Sequence, residues 1–414
     1  MSTQRASGEG VASGGGGAPA PSLPNLNAGR YAFEEVQRLV DRAAWINMYA
    51  IPDATRSGGA AGFECTATLH RFGIETPLPD SGSCIKAADT VGQTVGRLDL
   101  RWSVIPFNFS AVPGASLPAT ALDRSRSQRF VIREGTFRFG NGHDGFRSFG
   151  TGRTFPKDVG GRPQLVAAGI GNITEGFGRF AGLEGNYIVA GQVREDGAIV
   201  GDIMARMVDP DAILRARDPL PPLQRVADSE PGVTYFTMSS RKSGPDMLTT
   251  YNFGPDGKPR GLNVPQQLLH ARTDFTPQGG AGFECEIETG AVIGRVISLI
   301  HTADGGTGAA DAPLMFQGAG HYRFTDQQGR VVGGFTGQSL EGRNFAMQLA
   351  GAPGQQAFRY GYFGPILHGE GCFGGAEGMF FGCAGVGISP HVLSNLFILR
   401  LQDPDGRFRA ALHT

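Results

Sequence analysis

The sequence predicts an all-β protein built from two tandem antiparallel β-barrels. Three observations support this prediction: 65 glycines in 414 residues, short segments in which apolar and polar residues alternate, and an internal repeat. The glycine content is roughly twice the average usage. Glycine destabilises helix interiors but suits tight turns and bulges. Together with 28 phenylalanines, this composition favours many short strands over helices.

Length and charge limit the function classes. At roughly 150 residues per domain, the chain predicts two or three domains. With 40% hydrophobic and 18% charged residues, the composition is that of a globular protein. The formal net charge of −1 gives no basic surface of the kind that binds nucleic acid or an anionic membrane. We therefore expect neither of these partners.

The expected location is the cytoplasm. No window approaches the run of about 18 apolar residues typical of a membrane-spanning helix, and residues 1–25 lack the apolar core of a secretory signal. The five cysteines are odd in number and widely spaced, which argues against a disulfide framework. With no CxxC and no closely spaced histidine pair, the sequence predicts neither a metal site nor a cofactor.

Composition divides the chain into four parts. Residues 1–28 are Gly, Ser, Ala and Pro, and we expect a disordered tail because so few apolar groups are available for burial. The first barrel domain is predicted over 29–212 and the second over 233–414. Between them, residues 213–232 mix charge with proline and fit a linker.

One helix and many strands are predicted. Within residues 31–48, apolar residues recur at helical spacing before Pro52, which predicts an N-terminal amphipathic helix. The remaining segments alternate between glycine and proline breaks, as strands do. The main strand candidates are 62–69, 97–107, 129–139, 185–193, 198–210, 249–261, 282–290, 321–337, 358–364 and 395–408.

Three sequence matches recur in the same order in the two halves. They are 61–65 with 281–285 (AGFEC in both), 178–185 with 371–378, and 206–210 with 400–404. The offsets are 220, 193 and 194 residues, so the second copy lacks about 27 residues between the first two matches. The common order and the near-constant later offset indicate an internal duplication. Convergent strand–turn composition is the alternative.

The middle match carries a family resemblance. Gly178-x-Phe180-x-Gly182-x-x-Gly185, followed by an apolar strand, resembles the signature stretch of the allene oxide cyclase and dirigent-protein barrels. Those families form closed eight-stranded antiparallel barrels in which glycines allow sharp coiling and the phenylalanine fills the interior. The resemblance implies a barrel whose mouth takes one apolar molecule, with a carboxylate that guides its reaction. It covers this stretch in each half and the overall strand spacing.

Glu184 and Glu377 are the candidate catalytic residues. If Phe180 and Phe373 point into the barrels, alternation with period two sends both glutamates the same way. A carboxylate on an apolar face has a raised pKa, which suits general acid–base work near neutral pH. A bulge at the glycines would instead reverse the alternation and place both glutamates in solvent.

The candidate substrate-binding residues lie in or beside the same motif: Phe180, Tyr187, Phe373 and His368. His368 is also near Cys372 and Cys383 in the sequence. A cysteine–histidine pair can act as a nucleophile, but no third group that would orient the histidine is evident.

Two other repeated features are expected to be structural. Glu284 and Cys285 alternate as on a half-exposed strand, so the glutamates Glu64 and Glu284 should face outwards and Cys65 should be buried. The Arg-x-x-Asp-Pro repeat (206–210 and 400–404) fits a turn closure or a surface ion pair.

The leading functional prediction is a cofactor-independent cyclase or isomerase. It would act on an apolar intermediate, such as a polyketide or a fatty-acid derivative, by folding it in an apolar cavity beside one carboxylate. The alternatives are a non-catalytic carrier of apolar ligands and a structural protein, and a homo-oligomer is left open. A catalyst needs an open cavity with an ionisable group, a carrier needs a cavity without one, and a structural protein has filled barrels.

Overall fold

The computed structural model describes residues 43–58, 62–73, 87–88, 90–105, 122, 124–159, 162–209, 211–215, 221–245, 261–278, 282–302, 316–326, 328–347, 357–388, 391–392 and 394–408. The predicted disordered tail, 1–28, and most of the predicted helix lie outside these residues. Within them, no helix is long and apolar enough to cross a membrane.

Twenty strands lie within the described residues. Those before the second domain are β1 (Ala43–Ser57), β2 (Phe63–Gly73), β3 (Ala87–Ala88), β4 (Thr90–Val104), β5 (Gln128–Phe139), β6 (Asp144–Val159), β7 (Arg162–Phe177), β8 (Glu184–Val193), β9 (Ile199–Val208) and β10 (Ala227–Asp228). Those of the second domain are β11 (Val233–Lys242), β12 (Gly261–Gln278), β13 (Gly282–Thr302), β14 (Phe316–Thr325), β15 (Val331–Gln338), β16 (Glu341–Met347), β17 (Ala357–Gly371), β18 (Gly378–Ile388), β19 (His391–Val392) and β20 (Ser394–Gln402).

Both sheets close into eight-stranded antiparallel barrels. In the first, the order is β4-β2-β1-β9-β8-β7-β6-β5, and β5 pairs back with β4. In the second, the order is β17-β15-β14-β13-β12-β11-β20-β18, and β18 pairs back with β17. Strand β16 pairs with the first part of β17, whereas β15 pairs with its last part, and the two-residue strand β19 pairs with β18. The predicted all-β architecture of two tandem barrels is confirmed.

The predicted N-terminal helix is wrong where the structure describes it. Residues 43–48 belong to strand β1, which pairs with β2 on one side and β9 on the other. Ala44, Ile46 and Met48 are buried in the barrel interior, whereas Trp45 and Tyr49 are buried on the outer face. The helical spacing that predicted this helix runs from Phe33 to Ala43, so the error in the described residues is the extension of the helix over 44–48.

The outer faces of the two barrels pack against each other. An apolar cluster joins equivalent strands of both barrels: Trp45, Tyr49, Val166, Ala168, Ile170, Ile188, Ala190 and Met204 from the first, and Val233, Tyr235, Phe363, Met379, Phe381, Leu396 and Ile398 from the second. By their places in the two barrels, β1 corresponds to β11, β7 to β17, β8 to β18 and β9 to β20, and all eight strands contribute side chains. The AGFEC match does not follow this correspondence, because it lies on β2 in the first copy and on β13 in the second, where β12 holds the place of β2. The duplication therefore depends on the two later matches. The interface is therefore isologous in character, as between the subunits of a two-fold dimer.

The predicted linker packs tightly on the first barrel. Leu223 contacts the position of Gly92 so closely that a Cβ there would lie 2.6 Å from its Cδ1 atom. The buried Arg71 side chain donates a hydrogen bond to the carbonyl of Pro221 at 2.8 Å. Strand β10 then pairs with β4, and β3 of the first domain pairs with β11 of the second. A short strand of the linker therefore pairs with the first barrel, and a short strand of the first domain pairs with the second barrel.

Candidate functional site

The repeated glycine motif forms a turn that closes one end of each barrel. After β7, residues Gly178–Phe180 make a single 3₁₀ turn. Gly178 and Gly182 adopt φ angles of +62° and +78°, and the equivalent Gly371 and Gly375 adopt +60° and +70°. Such left-handed conformations are readily available only to glycine. The matching angles show that the two copies share the same turn.

The repeated Arg-x-x-Asp-Pro motif closes the same end. Because Glu184 pairs with Val208, the turn before β8 and the turn after β9 lie side by side. Asp209 accepts hydrogen bonds from the backbone N–H groups of Ile213 and Leu214, both at 2.8 Å. Leu214 is fully buried in the interior cluster of the first barrel. This turn therefore inserts an apolar side chain into the barrel end.

The second barrel repeats this closure. Asp403 accepts a hydrogen bond from the backbone N–H of Phe408 at 3.0 Å and another from Thr234 Oγ1 at 2.7 Å. Phe408 contacts Phe373 with ring centroids 6.4 Å apart. The guanidinium of Arg407 donates to the carbonyl of Gly374 and joins the two turns. In both copies the predicted structural role of this motif as a turn closure is borne out by its geometry.

Phe180 and Phe373 are fully buried inside the barrels, but the glutamates do not follow them. The 3₁₀ turn and the left-handed Gly182 interrupt the alternation before β8 begins. On β8, Tyr187 and Val189 face the interior, so Glu184 lies on the outer face, where it is half-buried. The expectation that Glu184 shares the face of Phe180 is wrong for this reason.

Glu377 lies in an ion pair between the barrels. Its side chain is 68% exposed, and its Oε2 atom is 3.6 Å from Nζ of Lys157 on β6. Nearby, Glu341 is completely buried, with its Oε2 atom 3.4 Å from Arg129 Nη2 and 3.5 Å from Arg153 Nε, both on the first barrel. These carboxylates join the two domains across their interface.

Tyr187 lies in the interior of the first barrel beside Ser148. Its hydroxyl is 3.3 Å from Ser148 Oγ, which is also 3.2 Å from the carbonyl oxygen of Gly135. Burial raises the pKa of Tyr187 to about 12, although the hydrogen bond from Ser148 opposes the shift. Phe380 stands in the matching place of the second barrel, so this hydroxyl pair belongs to the first copy alone.

His368 lies on the outer surface of the second barrel, at a bulge. Thr336 pairs with His368 and Gly337 pairs with Ile366, which leaves Leu367 as the extra residue. Both Leu367 and His368 are exposed. The first barrel has the same irregularity, since Arg147 pairs with Glu175 and Ser148 with Ile173. The bulge is a duplicated feature of the barrel wall, and it explains why His368 is turned away from the interior.

A histidine–threonine contact, missed by the sequence analysis, lies next to His368. His321 Nδ1 is 3.0 Å from Thr336 Oγ1, and Arg323 Nε donates to His321 Nε2 at 3.0 Å. Because Nε2 accepts from the guanidinium, the neutral ring carries its proton on Nδ1 and donates it to Thr336. This histidine therefore has no lone pair with which to activate the threonine hydroxyl.

Aromatic rings stack on one another in the described part of both barrel interiors. In the first barrel, Trp102 stacks on Phe63 at 4.6 Å between ring centroids, and Phe137 stacks on Phe146 at 4.5 Å. In the second, Tyr322 stacks on Phe335 at 4.4 Å. Further contacts at 4.8–5.8 Å join Phe130, Phe139, Phe180, Tyr187, Phe324, Phe373, Phe380 and Phe397 into these arrays.

Inward-facing glycines make room for these rings. A Cβ atom built on Gly171 would lie 1.9 Å from the ring of Tyr187, and one on Gly382 would lie 2.2 Å from the ring of Tyr362. Each ring therefore lies directly against the backbone of the neighbouring strand, over the glycine with which its residue is paired. The unusual glycine content of the sequence is explained in part by this packing of rings on bare backbone.

Among the described residues, neither the buried thiol of Cys65 nor a group of metal ligands forms a reactive site. Cys65 is buried, and burial raises the pKa of its thiol, so the reactive thiolate is disfavoured. Its neighbour Glu64 is exposed in an ion pair with Arg101, as the strand pattern predicts. In the described part of the chain, no three His, Cys, Asp or Glu side chains are grouped as metal ligands would be.

Several buried ionisable groups lie between the barrels. Arg400 forms a buried ion pair with Glu230, with Arg400 Nε 3.2 Å from Glu230 Oε2. Tyr235 donates to the same carboxylate at 3.0 Å. The guanidinium of Arg206, the first-copy equivalent of Arg400, lies 5.0 Å from the ring centroid of Trp45. Their repeated spacing was visible in the sequence, but their burial between domains was not.

No family model, no curated protein and no solved structure matches this chain. The resemblance to the allene oxide cyclase and dirigent-protein barrels therefore stays a prediction that rests on the glycine motif.

Proposed function

We propose that this chain is a non-catalytic, structural double-barrel protein whose interiors are occupied by its own side chains. The observation that carries the proposal is the continuous aromatic packing in both barrels, together with the apolar side chains inserted by the closing turns. A ligand of any size would have to displace several stacked rings, each worth about 0.5–1.5 kcal/mol beyond its area burial.

The positions of the candidate catalytic residues support the same proposal. A cyclase of the kind expected from the resemblance needs a carboxylate inside the cavity, next to the substrate. Glu184 lies on the outer face of the first barrel, and Glu377 pairs with Lys157 at the interface. The repeated motifs that suggested chemistry instead close the barrel ends and join the barrels to each other.

The test is to ask whether the native protein takes up small apolar molecules. We expect native mass spectrometry of freshly purified protein to give the mass of the bare chain, unchanged by organic extraction. We also expect no binding of benzene-sized probes. The matched control is Phe146→Ala, which opens an apolar cavity in the first barrel, because such engineered cavities stay dry and bind benzene or xenon. Probe uptake by the variant alone would agree with filled barrels.

A carrier of a small apolar molecule is the second candidate, and one observation favours it. The hydroxyl groups of Ser148 and Tyr187 form a buried polar point inside the first barrel, where a ligand carbonyl could be held. A stoichiometric apolar molecule released on extraction from the wild-type protein, and lost in Tyr187→Phe, would replace the structural proposal with this one.

A further inference from the structure

Asp202 departs from the internal symmetry of the interface. It lies four residues before Arg206, and the repeat places Leu396 at the matching position four residues before Arg400. Leu396 is 1% exposed and belongs to the apolar cluster between the barrels. Asp202 is 0% exposed on the outer face of β9. One copy thus has a leucine where the other has a buried carboxyl group.

Among the described residues, no hydrogen bond offsets the cost of burying the carboxyl group of Asp202. Within the described residues, neither of its oxygens has a hydrogen-bond partner. It pairs across the sheet with Tyr49 on one side and Ala190 on the other, both in the interface cluster. A buried charge without a partner is far more costly than a buried neutral acid. Burial alone raises the pKa of Asp202 well above its ordinary value.

The charged and titratable neighbours are already engaged with one another. Glu230 and Arg400 neutralise each other in their buried ion pair, and Tyr235 donates to Glu230. On β2, His70 Nδ1 is 3.0 Å from the carbonyl oxygen of Gly92. The phenol of Tyr49 is held neutral, since burial and then the charge of Glu230 raise its pKa. Arg206, four residues further along the same face of β9, has its guanidinium over the ring of Trp45 at 5.0 Å from the centroid.

We propose that Asp202 makes the docking of the two barrels sensitive to pH. When the carboxyl group carries its proton, the interface closes over a neutral side chain. When the proton passes to solvent, the carboxylate gains hydration only if the barrels separate at this point. The barrels themselves are unaffected, because Asp202 lies on the outer face and makes no contribution to either interior.

The direction of the effect follows from linkage. A group whose pKa is higher in the docked state stabilises that state below its ordinary pKa of about 4 and loses this contribution as the pH rises through the raised value. Over that window, the equilibrium constant for separation should increase about tenfold per pH unit. Asp202→Leu, which restores the symmetric residue, and Asp202→Asn should both remove this dependence.

The two tryptophans of the chain allow the test to be made on the full-length protein. Trp45 lies in the interface cluster, and Trp102 lies inside the first barrel. In a Trp102→Phe background, fluorescence reports the interface, and in a Trp45→Phe background it reports the barrel. The measurement is the urea concentration at the midpoint of each fluorescence change between pH 4 and pH 9. It is made on the protein that keeps Asp202 and on the Asp202→Leu and Asp202→Asn variants. Asp211→Asn, at an exposed position, is the matched control.

We expect the Trp45 midpoint to fall with rising pH when Asp202 is present, and to stay level in both substituted proteins. The Trp102 midpoint should depend much less on pH. Parallel Trp45 profiles with and without Asp202 would overturn the proposal. So would equal shifts of both reporters, because these would show unfolding of the barrel in place of undocking. If Asp202→Leu does not fold, Asp202→Asn alone decides, since it keeps the shape of the side chain.

Discussion

At the scale of single residues, the fold depends on rings that lie on bare backbone. Tyr187 lies over Gly171 in the first barrel, and Tyr362 lies over Gly382 in the second. Narrow barrels have space for large side chains on some strands only if the facing positions are small. Glycine therefore has a packing role here in addition to its role in turns.

Gly171→Ala should destabilise the protein by about 1–3 kcal/mol, because the new methyl group would overlap the ring of Tyr187 and force it from its place. Urea unfolding followed by fluorescence measures the loss. The control is Gly73→Ala, where a Cβ meets nothing within 4 Å. Combining Gly171→Ala with Tyr187→Leu should recover part of the stability, and full additivity of the two losses would contradict the packing argument.

At the scale of elements, the sequence motifs were found but their orientation was not. The glycine spacing predicted a turn that carries an interior phenylalanine, and Phe180 is fully buried as expected. Alternation fails across that turn because a 3₁₀ segment does not have a period of two. Residues 43–48 were assigned to a helix but begin strand β1, because the helical spacing of Phe33 to Ala43 was extended past its last apolar residue.

Phe373→Ala and Phe180→Ala should each cost about 3–5 kcal/mol, because each removes a buried ring from a barrel end. His368→Ala should change stability by less than about 0.5 kcal/mol, since the side chain is exposed. Chemical denaturation of the three variants measures these losses. A large loss for His368→Ala, or a negligible one for both phenylalanines, would contradict the assigned positions.

At the scale of the whole molecule, two closed barrels behave as one unit. The interface combines an apolar cluster with the buried pairs of Glu230 with Arg400 and of Glu341 with Arg129 and Arg153. Short strands and the packed segment 221–228 add to it. The number and class of the barrels could be predicted from the sequence, but this interface could not, because the residues of its apolar cluster come from ten separate strands.

At pH 4, where Asp202 carries its proton in the docked state and docking is strongest, the full chain should therefore unfold in a single calorimetric transition. Met204→Glu places a charge in the centre of the interface cluster, where Met204 is 0% exposed, and should split that transition into two. Val331→Glu, at a position 58% exposed, is the control and should leave one transition. Two transitions in the wild-type protein at pH 4 would show that the barrels unfold independently.

The apolar face shared by the barrels has a consequence for synthesis on the ribosome. The first barrel is complete once β9 has emerged, yet the cluster that covers Ile188 and Met204 includes residues of β17, β18 and β20, which are made much later. At elongation rates of roughly 5–20 residues per second, about 200 further residues take on the order of 10–40 seconds. During that interval the nascent first barrel exposes this apolar face to neighbouring chains on the polysome. A chaperone therefore has time to bind the face before the second barrel of the same chain covers it.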